Sequence, residues 1–163
     1  MELKTRTNQP VVGDEFTGDI AFTGDVKCFE NIVDKDGHKR FIGGDITTET
    51  TEGFTFNYGK WSLCGTHLII VLAGSVANNT TFTAKVVGVL QNVPQWIRNK
   101  IYPLFSSIVA RDEVVLFNED YSTQTAYCYL TKTTNDLQLY LGSITATKDR
   151  IFRIEFDLLI DNE

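Results

Sequence analysis

One segment near the end of the chain alternates apolar and polar residues without interruption, and it constrains the fold more than any other feature. From Phe152 to Leu158 a charged residue stands between each pair of large apolar ones, and Leu159 then separates Leu158 from Ile160. Successive side chains of a β-strand point to opposite faces, so a period of two predicts a strand with one buried and one solvent-facing side. The apolar positions are Phe152, Ile154, Phe156, Leu158 and Ile160.

Other runs are apolar on both faces, namely Leu68–Ala73, Val86–Leu90 and Val114–Phe117. In a parallel sheet helices would cover both sides of such strands, but the sequence has no alternating helical segments. Turn-forming residues separate the strand candidates and favour antiparallel pairing. We therefore expect an all-β protein whose head is an antiparallel β-sandwich of jelly-roll-like type, with the second cover supplied by another sheet or another copy of the chain.

The first 50 residues differ in composition from the rest and repeat a Gly-Asp-β-branched triplet at Gly18–Ile20, Gly24–Val26 and Gly44–Ile46. Glycine and aspartate favour a turn, and the β-branched residue favours a short strand. Such units bury too little apolar surface to fold alone. We predict a β-rich shaft or neck at residues 1–50, a head domain at residues 51–163, and an oligomer.

A single segment between the strands is predicted to be helical. Trp96, Ile97 and Ile101 have helical spacing, Pro94 suits a first helical turn, and Pro103 ends the run. We expect one short helix near residues 94–102. Its first interpretation is a lid that places Trp96 and Ile101 in the core, and the alternative is a surface role for Trp96 or Tyr102.

The charge pattern argues against nucleic-acid binding, because 15 basic residues face 21 acidic ones and no basic run occurs. The longest apolar run is too short for a bilayer span, so no membrane insertion is expected. The first residues lack the pattern of a signal peptide, which favours synthesis in a cytoplasm. Cys28, Cys64 and Cys128 are expected to be reduced, and their spacing to the histidines matches no metal site.

The residue pattern also gives no sign of catalysis or of a cofactor. His38 and His67 lack the company of a nucleophile on a constrained turn. Glu155 and Asp157 share a strand face, as a sugar-cleaving pair would, but the solvated side of an amphipathic strand is the better explanation for them. The segment 34–37 begins like a calcium loop, yet the later ligands are absent. We expect a protein that is not an enzyme and that holds no metal.

The positive binding signal is a group of tyrosines among hydroxyl and amide side chains. Tyr127, Tyr129 and Thr131 would share one strand face, with Cys128 and Leu130 on the other. Flat aromatic faces beside hydroxyl and amide groups suit sugar rings, although tyrosines at a subunit interface would look the same. The candidate ligand-binding residues are Tyr121, Gln124, Tyr127 and Tyr129.

Residues 58–76, 93–97 and 101–103 resemble the carboxy-terminal heads of bacteriophage tail fibres and receptor-binding proteins, and the Gly-Asp repeats resemble fibre shaft segments. The resemblance implies a homotrimeric β-structured head preceded by short intertwined strands. It further implies a virion protein, on a tail fibre or baseplate, that attaches to host-surface carbohydrate beside other tail or fibre proteins. No family site residue can be carried over to this sequence.

Three alternatives remain open at this level. The chain can be a structural virion or baseplate component whose tyrosines serve assembly. It can be a sugar-processing enzyme that uses Glu155 and Asp157. It can also be a carbohydrate-binding lectin domain of bacterial origin.

Overall fold

A computed structural model describes residues 36–39, 41–48 and 52–160, and these ranges contain ten β-strands and one short α-helix. The all-β prediction and the predicted helix are thereby confirmed. The elements are β1 Phe41–Thr48, β2 Phe54–Cys64, β3 His67–Val76, β4 Thr81–Phe82, β5 Lys85–Leu90, α1 Gln95–Asn99, β6 Ile108–Phe117, β7 Thr123–Lys132, β8 Leu137–Leu141, β9 Ile144–Thr145 and β10 Arg150–Leu159.

Eight of these strands form a closed antiparallel barrel in the order β1-β2-β3-β10-β6-β7-β8-β5, which corrects the predicted sandwich. Two seams close it. At one, β1 pairs with β5 from Ile46 opposite Leu90 to Thr48 opposite Gly88. At the other, Ile151 of β10 pairs with Phe117 of β6. Alternation identifies the buried face of each strand, and that face is the same in a sandwich and in a barrel. The pattern therefore does not show whether the edge strands pair with each other and close the sheet.

The core fills the barrel interior. Strand β10 is part of the barrel wall, and its apolar face points into the core as the alternation predicts. Phe152, Ile154 and Phe156 are buried, while the charged residues between them are exposed. On β3 the buried positions Leu68 and Ile70 follow the same period. The hydrophobic effect therefore determines which side of each strand points into the core, since burial of one large aliphatic or aromatic side chain contributes about 1.5–3 kcal/mol to the stability of the fold.

The outer sides of the two-faced apolar runs are not covered by another sheet within the described ranges. Ile69, Val71 and Ala73 on β3 are half-buried. Val115 and Phe117 on β6 are 37% and 47% exposed. The inner face of these runs thus packs in the barrel core, whereas the outer face retains exposed apolar surface.

The short helix α1 closes part of the core. Ile97 and Ile101 are buried, and Trp96 is half-buried against the core with its ring stacked on His38 at a centroid distance of 4.4 Å. The lid interpretation is confirmed for Ile101, whereas Tyr102 is 76% exposed. No helix among the residues described here is long and apolar enough to cross a bilayer.

Strand β1 lies on the amino-terminal side of the boundary predicted near Thr50, and it is a strand of the barrel. It contains the triplet Gly44–Ile46. The other two triplets, Gly18–Ile20 and Gly24–Val26, lie outside the described residues, as does Cys28. Of the neck predicted for residues 1–50, residues 1–35 lie outside the described residues, and the neck stays a prediction.

The barrel has two ends, which we name by the start of β1. The proximal end contains the start of β1, the turn between β2 and β3, the start of β6 and the end of β10. At the distal end lie the β6–β7 turn, the loop after β8 and the small β4–β9 sheet. Four large apolar side chains at the proximal end are 49–78% exposed, namely Phe41, Leu104, Phe105 and Leu159.

Candidate functional site

The outer face of β6, β7 and β8 brings together aromatic and charged side chains. Across the ladder, Tyr127 lies opposite Glu113, and Tyr129 lies opposite both Arg111 and Tyr140. The residues that alternate with these tyrosines on β7 are buried in the core. The strand period thus places Tyr127 and Tyr129 on one outward face, as the sequence predicted.

Next to these tyrosines, toward the distal end of the barrel, is a cleft of about 400 Å³. Its walls come from β6, β7, the residue that precedes β5 and the loop that follows β8. The lining residues are Ala84, Glu113, Thr125, Ala126, Tyr127, Tyr129, Gly142 and Ser143. Aromatic rings and hydroxyl groups therefore share the wall of one concave surface.

The loop after β8 approaches β7 closely, and this contact shapes the cleft. The backbone N–H of Gly142 donates to the carbonyl oxygen of Tyr127 at 2.6 Å. A Cβ at position 142 would lie 2.9 Å from that oxygen, so a side chain would push the loop away. The hydroxyl of Ser143 accepts a hydrogen bond from the N–H of Ala84 at 3.1 Å, which joins the loop to the start of β5. Both contacts hold the wall in place without a ligand.

Arg111 supports the tyrosines from outside the cleft. Its guanidinium carbon lies 3.9 Å from the ring centroid of Tyr127 and 5.8 Å from that of Tyr129. Such cation–π contacts contribute about 0.5–1 kcal/mol at an exposed site. Arg111 does not line the cleft, and it covers one face of the Tyr127 ring. A ligand in the cleft therefore has to use the other face or the edge of that ring.

Glu113 is the one charged residue among those that line the cleft. It lies directly across the ladder from Tyr127, and its carboxylate has no hydrogen-bond or ion-pair partner in the described part of the chain. An ionised carboxylate only accepts hydrogen bonds, and its two oxygens can accept several. The cleft thus offers unused acceptors beside its aromatic rings.

The other two residues predicted for the site, Gln124 and Tyr121, do not line the cleft. Gln124 is half-buried on the opposite side of β7 and donates its amide N–H to the carbonyl oxygen of Thr145 at 3.1 Å. Tyr121 is 91% exposed in the β6–β7 turn, where its φ is 62°. The structure therefore joins Tyr127 with Tyr129 and adds Arg111, Glu113 and neighbours that the sequence reasoning missed.

Ion pairing orders the β6–β7 turn at the distal end. Asp120 pairs with Lys148 and accepts a hydrogen bond from the N–H of Ser122 at 2.9 Å. These partners, Lys148 above all, hold the pKa of the Asp120 carboxyl well below its ordinary value. These contacts order the turn and join it to the segment that precedes β10.

Glu155 and Asp157 share the outer face of β10, as the alternation predicted. Arg153 pairs with Glu155 at 2.8 Å, and the Nδ1 atom of His67 lies 2.9 Å from Asp157. Glu155 is thus engaged in an exposed ion pair, and Asp157 in an exposed contact with His67. Across the part of the chain that the structure describes, no group of three or more His, Cys, Asp or Glu residues is arranged to hold a metal ion.

Comparison with solved structures finds similarity to viral attachment and fibre proteins. The distal domain of the mouse adenovirus 2 fibre shares 13% identity over 85% of this chain and 88% of its own, with a TM-score of 0.39. The reovirus attachment protein sigma1, solved with α-2,3-sialyllactose, shares 7% identity over 86% of this chain and 78% of its own, with a TM-score of 0.32. No protein family model and no curated protein sequence matches the chain.

Proposed function

We propose that the barrel is the receptor-binding head of a viral attachment fibre and that it binds cell-surface glycans, without catalysis, in the cleft beside Tyr127. The observation that carries the proposal is the cleft itself, where two tyrosines lie beside hydroxyl groups and a carboxylate. Sugar rings bind by placing C–H faces on aromatic rings while their hydroxyl groups exchange hydrogen bonds with polar neighbours.

The position of the cleft supports an attachment role. The chain enters the barrel at the proximal end, where β1 begins, whereas the cleft lies toward the distal end. We propose that the distal surface, which carries the cleft, faces the cell. The protein would then belong to the virion, beside other tail or fibre proteins. Its assignment to a bacteriophage rests on the resemblance of residues 58–76, 93–97 and 101–103.

We propose a homotrimer as the working form. The outer face of β3 retains half-buried Ile69, Val71 and Ala73, and neighbouring Tyr58 on β2 is 52% exposed. Contact with another copy would cover this apolar surface. Three sites on one particle raise the avidity for dense receptors, so each site can be weak. Light scattering should give a mass near three times 18.4 kDa, and a monomer would contradict the trimer.

A glycan array with the intact chain tests the attachment function. Loss of the Tyr127 ring removes an aromatic contact worth about 1 kcal/mol per site beyond its buried area, which is about fivefold in affinity. When three sites act together, Tyr127→Ala should lower apparent affinity about a hundredfold. Tyr102→Ala is the matched control, since Tyr102 is 76% exposed away from the cleft. Absence of glycan binding, or binding that Tyr127→Ala leaves unchanged, would refute the proposal.

The exposed apolar side chains at the proximal end favour a second candidate, a purely structural virion component. Leu104, Phe105 and Leu159 are 78%, 77% and 69% exposed, which suits burial in an assembly. This alternative predicts a trimer that binds no glycan. The array and the mass measurement together therefore distinguish the two functions.

A further inference from the structure

We propose that the cleft selects neutral glycans and rejects acidic ones, with Glu113 as the residue that determines this specificity. The inference rests on the proposed function, because it names the class of glycan for the same cleft. Its basis is the charge of the lining, in which Glu113 supplies a carboxylate and no basic side chain takes part.

The position of Glu113 suits it to bind sugar hydroxyl groups. It lies across the ladder from Tyr127, so a ring that contacts the tyrosine brings its edge toward the carboxylate. Two neighbouring hydroxyl groups can donate to the two oxygens of one carboxylate, and hydrogen bonds to a charged acceptor are stronger than neutral ones. No other side chain in the described ranges engages this carboxylate.

The remaining lining completes a site for a neutral sugar. Thr125 and Ser143 bring hydroxyl groups, which both donate and accept hydrogen bonds. The volume of about 400 Å³ lies at the lower end of the range for small-molecule sites, which suits one or two sugar rings. Ordered walls at Gly142 and Ser143 reduce the entropy that binding costs.

An acidic sugar in the same position would bring its carboxylate close to Glu113. Like charges in such proximity repel, and the chain as a whole carries a net charge of −6. Arg111 is the cation of the neighbouring ladder position, but its guanidinium is stacked on Tyr127 outside the cleft. A guanidinium matches a carboxylate well, so binding of an acidic sugar through Arg111 is the competing outcome that an experiment has to distinguish.

The test compares a neutral galactose-terminated oligosaccharide with the same oligosaccharide capped by sialic acid, immobilised at equal density. The chain of 163 residues is assayed beside Glu113→Gln and Glu119→Gln. Glu119 is an exposed carboxylate in the β6–β7 turn, outside the cleft, so its variant makes the same charge change elsewhere. Unchanged circular dichroism and light-scattering mass show that each variant folds and assembles.

The wild-type chain should bind the neutral glycan and not the capped one. Glu113→Gln should lower affinity for the neutral glycan about tenfold or more, because a charged acceptor is lost, and should raise the relative signal of the capped glycan. Glu119→Gln should match the wild type. Equal affinity of Glu113→Gln and wild type for the neutral glycan would overturn the inference.

Two other outcomes separate this inference from the proposed function. Preference for the sialylated glycan that Tyr127→Ala and Arg111→Ala abolish would refute neutral selectivity while leaving the attachment function in place. Failure of the wild-type chain to bind either glycan, together with absence of binding to every glycan of the array, would refute both.

Discussion

Replacement of Gly88 by alanine tests how closely β5 approaches β1 at the seam that closes the barrel. A Cβ at position 88 would lie 2.6 Å from Cγ2 of Ile46, which is well inside van der Waals contact. Its next neighbours, Cδ2 of Leu72 at 3.6 Å and the oxygen of Thr47 at 3.8 Å, would tolerate it. Overpacking a core in this way costs about 1–3 kcal/mol, so Gly88→Ala should lower the free energy of unfolding by that amount.

Removal of the opposing atom should reverse the sign of this effect. Ile46 is buried, and Ile46→Ala deletes Cγ2 together with the rest of the side chain beyond Cβ, at a cost of about 2–5 kcal/mol. In that background the methyl group added at position 88 enters vacated space, and alanine is itself favoured over glycine in a strand by about 0.5–1 kcal/mol. The double variant should therefore be more stable than Ile46→Ala alone, with a coupling free energy of about 2 kcal/mol or more.

The measurement is urea unfolding followed by far-UV circular dichroism, with all variants at one protein concentration because the proposed trimer would make stability depend on concentration. Gly59→Ala provides the matched control. Its Cβ would meet Cβ and the backbone oxygen of Ile46 at 3.1 and 3.3 Å, and both atoms remain in Ile46→Ala. Coupling for that pair should stay small. Additive effects of Gly88→Ala and Ile46→Ala, within about 0.5 kcal/mol, would refute the packing described at the seam.

Two further predictions concern ionisable groups. Burial raises the pKa of the Cys128 thiol to about 11, whereas Cys64 is exposed. Iodoacetamide at about pH 8 should therefore modify Cys64 and leave Cys128 intact until urea is added. Peptide mass mapping would measure both modifications. The lowered pKa of Asp120 contributes stability above its unfolded value of about 3.9, and that contribution is lost as pH falls toward its folded pKa. Acid titrations followed by circular dichroism should therefore show a shallower loss of stability for Asp120→Asn than for the wild type; equal slopes would contradict the role of Lys148.

Much of the strand content follows from residue spacing alone. The period of two on β10 reflects a physical choice between water and the barrel interior at every position, and that choice is local to the strand. Closure of the barrel is different, because it depends on whether Ile46 meets Leu90 and Ile151 meets Phe117. These pairs are far apart in sequence, and no residue pattern within either strand reports on them.

The candidate site likewise combines local and long-range contacts. Glu113, which the sequence analysis did not predict for the site, could have been found from the β6–β7 hairpin. The pairs between β6 and β7 are symmetric about position 120, from Phe117 opposite Thr123 to Glu113 opposite Tyr127. The turn-forming residues at 118–120 favour a hairpin at this point, and a hairpin centred on position 120 places Glu113 beside Tyr127. The same parity puts Gln124 on the core side of β7.

The other residues of the cleft cannot be placed by hairpin symmetry. Ala84 and Ser143 meet only because β5 and β8 pair and because the small size of Gly142 lets its loop approach Tyr127. Local periodicity thus identifies which faces can carry a site, hairpin symmetry identifies the partner across one turn, and the concave shape arises from contacts between strands distant in sequence. The charge of the cleft thus follows from the hairpin, whereas its volume depends on contacts between strands distant in sequence. Substitution of Glu113 should therefore change which glycan binds, whereas substitution of Gly142 should remove the cleft for every glycan.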